Sequence, residues 1–444
     1  MHVLYNILVT VVFIILVLPY FLYRLTKEKG FGHRLRQCMG LVRKEEIEPV
    51  VDTNCIWLHG ASVGEMVAIS PLVKEIKKIM PERKVMVSAV TVGGYDMARR
   101  IMPEADAVIN FPLDLPLIAE SMVRRIRPGI FIMVETELWP NFLRAIRKRN
   151  IPVMMVNGRI SEKSAKNYRY LFGLMRDMLN TISRFCMQST LDAKYIIQLG
   201  ADPEKVIVTG NTKFDQTYVE VSPEDLATYK TELGLGEEAY PIIVAGSTHP
   251  SEEEIVLTSF TVLRKKYPHA RLIIAPRKPE HRLDEIERLD AKFGYETGYR
   301  SKLKEMEARR PEFPVLLIDT LGELGRIYAV GDIVFVGGSF VHYGGHNVLE
   351  PAAHAKPILV GPSMEDFKDS YSLLSRVGAC RMVSNADELT EAFLEIAGDD
   401  ALRKKMGAAS IQVIMENRGA APKTIHYLTD LLNLVETPRT YTKK

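Results

Sequence analysis

The 444-residue chain is predicted to be an α/β protein with two doubly wound, mostly parallel sheets behind one N-terminal transmembrane helix. Three observations predict this. The chain opens on a long uncharged apolar stretch. From residue 54 onward, short apolar runs alternate with amphipathic stretches, and the alternation is laid down twice. A polar, acidic segment, Val219–Ala239, containing Pro223, Gly234 and Gly236, separates the two series. Strands buried on both faces read as uninterrupted apolar runs, and strand–helix alternation builds parallel sheets.

The first element is the anchor. Val3 to Tyr23 carries no charge and is broken only by Asn6, Thr10 and Pro19. Roughly 20 apolar residues cross a bilayer core. Arg24, Lys27, Lys29, Arg34, Arg36, Arg43 and Lys44 follow, against Glu28 alone before Glu45. Cationic flanks stay cytoplasmic, so the N-terminus is expected outside and the rest inside. A cleaved signal peptide would need a charged leading region and a small-residue cleavage site, and neither is present. The basic run can also hold anionic headgroups near the following domain. Residues 1–25 are thus expected as the anchor and 26–53 as a basic juxtamembrane segment.

The first series of strands is read at Cys55–Leu58, Val85–Val90, Ala107–Ile109, Ile130–Val134, Val153–Val156, Phe185–Met187 and Val206–Val208. The second is read at Ile242–Ala245, Leu272–Ala275, Val315–Ile318, Ile333–Val336 and Ile358–Val360. The boundary is placed near Asp215–Val221, giving domains over 54–220 and 221–425 and a tail over 426–444. The charged stretch Tyr299–Pro314 reads as a solvated helix or loop. Two open sheets leave a cleft, and ligands bind outside the carboxyl ends of such strands. A net charge of +3 excludes a dedicated nucleic-acid binder. Cys38, Cys55, Cys186 and Cys380 form no C-x-x-C pair and no zinc pattern, and read as buried thiols in a reducing compartment.

Five motifs sit where these strands end. In Trp57–Glu65, Gly60 and Gly64 let the backbone turn and approach a ligand, and Glu65 falls in the first turn of the next helix. A carboxylate there either removes a proton from an acceptor hydroxyl or stabilises the helix dipole. In Val134–Pro140, Glu135 and Glu137 end an apolar strand, one expected in a site and the other in support. In Gly210–Asp215, Lys213 can meet developing negative charge or simply be solvated. In Ala245–His249, Gly246 and Ser247 lead into a helix starting near Ser251, a common phosphate seat, and Arg277 ends the next strand with a fork that matches oxyanions. In Phe335–Ala352, a glycine-rich loop opens a helix at Asn347. The N–H groups at that helix start are expected to take phosphate, and Glu350, one turn inside, ribose hydroxyls. His342 and His346 have the spacing of a helical metal pair, but Tyr343-Gly344-Gly345 between them disfavours a helix. No Asp-x-Asp occurs, so basic groups and helix starts are expected to hold phosphate in place of a divalent cation.

Taken in order, HGASVGE, VETELWPN, GNTKFD, AGSTH, APRKPEH and FVGGSFVHYGGHNVLEPAA resemble the blocks of the Kdo (3-deoxy-D-manno-octulosonic acid) transferases of lipopolysaccharide assembly, glycosyltransferases of the GT-B type. Asn157–Ser161 and Asp319–Leu324 match as well, and the resemblance covers essentially the whole chain. It implies two Rossmann-like domains facing across a cleft and an inverting transfer of Kdo from CMP-Kdo to a lipid A precursor, lipid IVA, with no metal or cofactor. Glu65 resembles the general base, and Glu135 and Lys213 resemble groups that stabilise the transition state. Ser247 stands in the matching AGSTH block. Pro276, Arg277, Gly322, Glu323, Leu324, Asn347, Val348, Leu349 and Glu350 resemble the CMP contacts. The chain departs from the family at Gly60-Ala61, commonly Ala-Val, and at His281, commonly Arg. The implied partners are CMP-Kdo, the lipid acceptor and inner-membrane lipids, with the catalytic domains cytoplasmic on a single-pass anchor. The alternatives are a GT-B enzyme using a UDP-sugar on a lipid acceptor, separable by CMP-against-UDP competition, and an anchored scaffold that binds no nucleotide.

Overall fold

The computed structural model describes residues 2–27, 30–160, 164, 172–216, 218, 221–306 and 312–436. Lys29, Ser161 and the last residues of the expected tail, 437–444, lie outside the described residues. Two units emerge, Met1–Gln216 with Asn417–Lys444, and Thr217–Glu416.

The first unit contains β1 (Ile56–Gly60), β2 (Val85–Ala89), β3 (Ala107–Asn110), β4 (Ile130–Val134), β5 (Val153–Gly158), β6 (Arg184–Met187) and β7 (Val206–Val208). They form one parallel sheet in the order β3-β2-β1-β4-β5-β6-β7. Alternate side chains go to opposite faces, as the period of a strand requires. Trp57, Met86, Phe131 and Phe185 enter one core, and Ile56, Leu58, Val87 and Ile132 the other. The order reverses between β1 and β4, the place where open sheets leave a crevice.

One boundary drawn from the sequence differs in the structure. Residues 417–436 are neither the close of the second domain nor a tail. A helix over Ala420–Glu436 lays Ala421, Ile425, Leu428, Leu431 and Leu432 on the second core of the first sheet. This is a stripe at helical spacing that needs an apolar face to cover it. Asp215 fixes its start, accepting from Gly419 N at 2.6 Å and Ala421 N at 2.7 Å. In the basic juxtamembrane segment, the described residues 30–53 pack on the first unit. Phe31, Gln37, Cys38 and Ile47 are buried. Gln37 Oε1 accepts from both nitrogens of Asn110 at 2.8 Å, and the Arg34 guanidinium donates to Val90 O at 2.6 Å. One nitrogen of the Arg34 guanidinium is therefore held at the end of β2.

Val3–Lys27 is helical over 25 residues, apolar and unburied, and is long enough to cross a membrane. Its Tyr5 hydroxyl donates to Asp114 at 2.8 Å. All four cysteines are free and buried. Burial pushes the Cys55 and Cys186 thiols up to about 12, so they are inert as nucleophiles.

The second unit holds β8 (Ile242–Thr248), β9 (Arg271–Pro276), β10 (Thr297–Tyr299), β11 (Val315–Leu317), β12 (Ile333–Val336), β13 (Ile358–Val360) and β14 (Cys380–Met382), all parallel, in the order β10-β11-β9-β8-β12-β13-β14. The sequence reading lacked the two edge strands, β10 and β14. Thr-Gly-Tyr and Cys-Arg-Met carry no apolar run, because an edge strand needs no two-sided burial. The stretch after β10 is not simply solvated: Arg300 is 2% exposed and bonds Glu232 and Glu323.

Candidate functional site

In the first unit the chemistry gathers at the carboxyl ends of β1 and β4, beside the reversal of strand order. The chain leaves β1 through Ala61-Ser62 into the helix Val63–Ile79, with Ser62 as N-cap accepting from Glu65 N at 3.4 Å. Ser62-x-x-Glu65 has the spacing of a capping box, but the Glu65 carboxylate reaches one residue further back. Its Oε2 accepts from Ala61 N at 2.6 Å and its Oε1 from Ser62 Oγ at 2.9 Å. The residue is 8% exposed. A carboxylate offers about four acceptor sites, so two neutral donors leave it under-satisfied. Burial, followed by the negative charges of Glu137 and Glu135, outweighs those donors and pushes its pKa up to about 7. That value suits a group that must take up a proton near neutrality.

β4 ends abruptly. Glu135 sits at φ 55°, a left-handed conformation that costs a non-glycine residue about 1–3 kcal/mol. Its N–H still donates to Val156 O at 2.9 Å, while its carboxylate pairs with the Lys213 ammonium at 3.2 Å. A Cβ on Gly64 would stand 3.7 Å from Lys213 Nζ, so the glycine-bearing turn and the lysine are neighbours. Glu137 is the supporting carboxylate. Its Oε2 accepts from Trp139 Nε1 at 3.1 Å and lies 3.7 Å from His59 Nε2. His59 is wholly buried and stacked on Phe111, and burial holds its pKa down, so it is neutral. The three residues expected to be catalytic, Glu65, Glu135 and Lys213, are thus brought together, although they come from three separate stretches of chain.

In the second unit the expected nucleotide contacts follow β8, β9, β11 and β12, which are adjacent in the sheet. Ser247, at φ 57°, ends β8. Pro276 ends β9, and Arg277 N donates to Thr248 O at 3.0 Å, leaving the exposed guanidinium beside the β8 turn. Gly322 turns at φ 83° ahead of the helix Leu324–Val330. The carboxylate of Glu323 is engaged by Lys304, by Arg300 Nε at 2.9 Å and by the Tyr229 hydroxyl at 3.0 Å. Burial works against it, but Lys304 and Arg300 hold its pKa at about 2. Val348 and Leu349 have core side chains, 0% and 1% exposed, so only their backbone groups can meet a ligand.

One reading of the glycine-rich loop needs correction. The helix opens at Leu349, not Asn347: Asn347 Oδ1 accepts from Leu349 N at 3.0 Å, and Asn347 Nδ2 donates to Glu350 Oε1 at 3.2 Å. Glu350 therefore lies in the first turn. Earlier in the same loop, the N–H groups of Gly338, Ser339 and Phe340 are taken by a carboxylate. Glu252, the first residue of the helix Glu252–Lys266, accepts from Gly338 N at 2.7 Å, Ser339 N at 2.9 Å, Phe340 N at 2.8 Å and His249 N at 2.9 Å. Gly337 permits this closeness, since a Cβ there would stand 2.6 Å from Ser247 O and 2.8 Å from Glu252 Oε2.

Sequence reasoning also missed a histidine pair in this unit. His346 meets His249, not His342: their Nε2 atoms are 2.9 Å apart, and the His249 ring stacks on Tyr343. Burial and the cations nearby hold both imidazoles below their ordinary pKa, His346 at about 3. Glu252 itself carried no signal, because Glu252-Glu253-Glu254 reads as ordinary acids at a helix start.

A family profile described as 3-Deoxy-D-manno-octulosonic-acid transferase (kdotransferase) matches residues 33–216. The chain is 34% identical over 407 residues to a 3-deoxy-D-manno-octulosonic acid transferase of Haemophilus influenzae, covering 91% of this chain and 93% of that protein. It is 32% identical over 326 residues to a protein of the same name from Chlamydophila psittaci, covering 73% of each. The structure of a UDP-GlcNAc 2-epimerase from Neisseria meningitidis, bound to UDP-GlcNAc, aligns with a TM-score of 0.55 at 15% identity, over 85% of this chain and 100% of that one, which is a likeness of fold.

Proposed function

The chain belongs to the 3-deoxy-D-manno-octulosonic acid transferase family, and from that premise we propose that it moves Kdo from CMP-Kdo to lipid IVA, with inversion at the anomeric carbon and without a metal. The observation that carries the proposal is the state of Glu65: nearly buried, held by two donors, and pushed to about 7. As the acceptor hydroxyl attacks, its oxygen bonds to the anomeric carbon and its proton passes to Glu65. The bond from that carbon to the phosphate oxygen breaks, and its electron pair leaves with CMP. Attack from the face opposite the leaving group inverts the centre. Glu135 stabilises the positive character that the sugar gains, and Lys213 the negative charge of its substituents.

The CMP contacts we propose are Ser247, Pro276, Arg277, the Gly322–Leu324 turn and Asn347 to Glu350, with Glu323, Val348 and Leu349 acting through their backbone. Arg277 would take the phosphate charge that a metal takes in other sugar-nucleotide enzymes. The Val3–Lys27 helix would hold the enzyme in the inner membrane with its domains cytoplasmic, where Arg24, Lys27, Arg36, Arg43 and Lys44 favour that side.

The test is Glu65→Gln, assayed with CMP-Kdo and lipid IVA in the presence of chelator, with products weighed by mass spectrometry. Transfer is expected to fall by about a hundred- to ten-thousand-fold, with CMP affinity by calorimetry unchanged. A variant that transfers at the wild-type rate would remove Glu65 from its role, and loss of wild-type activity in chelator would remove metal independence.

A further inference from the structure

Lys213 sits on a single 3-10 turn, Thr212–Asp215, too short to be held by its own hydrogen bonds. A ring of side-chain amides lies against that turn. Asn157 Oδ1 accepts from Thr212 N at 3.0 Å, and Asn211 Oδ1 accepts from Lys213 N at 3.0 Å. Asn211 Nδ2 donates to Gln188 Oε1 at 3.3 Å, and Gln188 Nε2 donates back to Asn157 O at 3.0 Å. The ring thus joins the ends of β5 and β6 to the turn. Thr212 Oγ1 donates to Ala68 O at 2.8 Å, fastening the same turn to the helix that carries Glu65.

Asn157 is the keystone of this ring. It is 0% exposed and stands near the end of β5, paired with β4 just where Glu135 begins. Its φ of 52° is left-handed, which asparagine tolerates and most residues do not. Aspartate alone shares that backbone and that acceptor, and at a wholly buried position it would add a charge. Glutamine is one carbon too long, and glycine keeps the backbone but has no acceptor.

We propose that Asn157 is a positioning residue for transfer: its amide sets the Lys213 turn against the end of β4, so that the ammonium stands at Glu135 beside Gly64. The inference rests on the reading above that Lys213 takes part in the reaction. A displacement of about 1 Å at a reacting group costs on the order of a hundredfold in rate.

The test is a double-mutant cycle of Asn157→Gly and Lys213→Met, read as kcat and KM for CMP-Kdo, with thermal unfolding and CMP calorimetry on each variant. Asn157→Gly alone is expected to lower kcat about ten- to a hundredfold, with KM and CMP affinity within about twofold. On the Lys213→Met background it is expected to change kcat by less than about threefold, because the group it positions is gone. Equal losses on both backgrounds would overturn the inference. Wild-type transfer by Lys213→Met would instead overturn the underlying reading. Should Asn157→Gly fail to fold, Gln188→Met opens the same ring from β6 and must show the same non-additivity.

Discussion

Glu65 and Glu252 hold corresponding places in the two units. Each lies in the first turn of the helix that follows the strand at which its sheet reverses order, and each is nearly or wholly buried. Their surroundings differ. Both oxygens of Glu252 are enclosed by four backbone N–H groups from two loops. Burial raises its pKa against the pull of those donors. A proton on either oxygen would find only donors facing it, so the loops are built around the ionised form. Glu65 has two donors and two carboxylates for neighbours, and is pushed to about 7. The lesson is that position in the fold makes a carboxylate available and the count of donors decides its work. Four donors make a clamp that holds a loop; two donors with like charges beside them make a group ready to accept a proton.

The largest break in this comparison is expected from Glu252→Ala. It strands four N–H groups around a wholly buried side chain, each costing about 1–3 kcal/mol, so a loss of about 4 kcal/mol is expected in chemical denaturation. A loss below about 1 kcal/mol would show that water replaces the carboxylate freely, and the clamp reading would fail. A smaller effect of opposite sign is expected from Glu65→Gln. The Glu65 pKa is raised from 4.5 to about 7, so the folded state favours the protonated form. The stability it contributes is present below pH 4.5 and is lost as pH rises through about 7. At pH 8 the ionised group costs on the order of 3 kcal/mol, a cost that glutamine lacks. The variant is therefore expected to unfold later than wild type at pH 8 and together with it at pH 4.5. A destabilised Glu65→Gln at pH 8 would contradict the under-satisfied state described above.

The two carboxylates were not equally legible in the sequence. Glu65 could be found because a glycine-rich turn precedes it between a strand and a helix. Glu252 stands among three glutamates at a helix start, and its acceptor role depends on a loop that begins 85 residues later, at Gly337. The same distance in sequence hides what the glycine-rich loop does: nothing local announced the carboxylate that its N–H groups hold. The long apolar runs of the central strands were legible because two-sided burial leaves a composition signal. Thr297–Tyr299 and Cys380–Met382, at a sheet edge, leave none. The Ala420–Glu436 helix shows its apolar stripe plainly, but which sheet it covers is set by Asp215, two hundred residues earlier. The trio Glu65, Glu135 and Lys213 was legible as three motifs, and its cohesion, through the side-chain amides of Asn157, Gln188 and Asn211, was not.

The central claim is that Glu65 must lose its proton before it can take one from the acceptor. The most direct measurement is the pH dependence of kcat/KM for transfer, taken from pH 5 to 9 with saturating lipid acceptor. The account predicts a tenfold rise per pH unit below a bend near pH 7, where Glu65 ionises. A profile that stays flat down to pH 5 would mean that the base of the reaction is a carboxylate of ordinary acidity, and that Glu65 is only the cap of its helix.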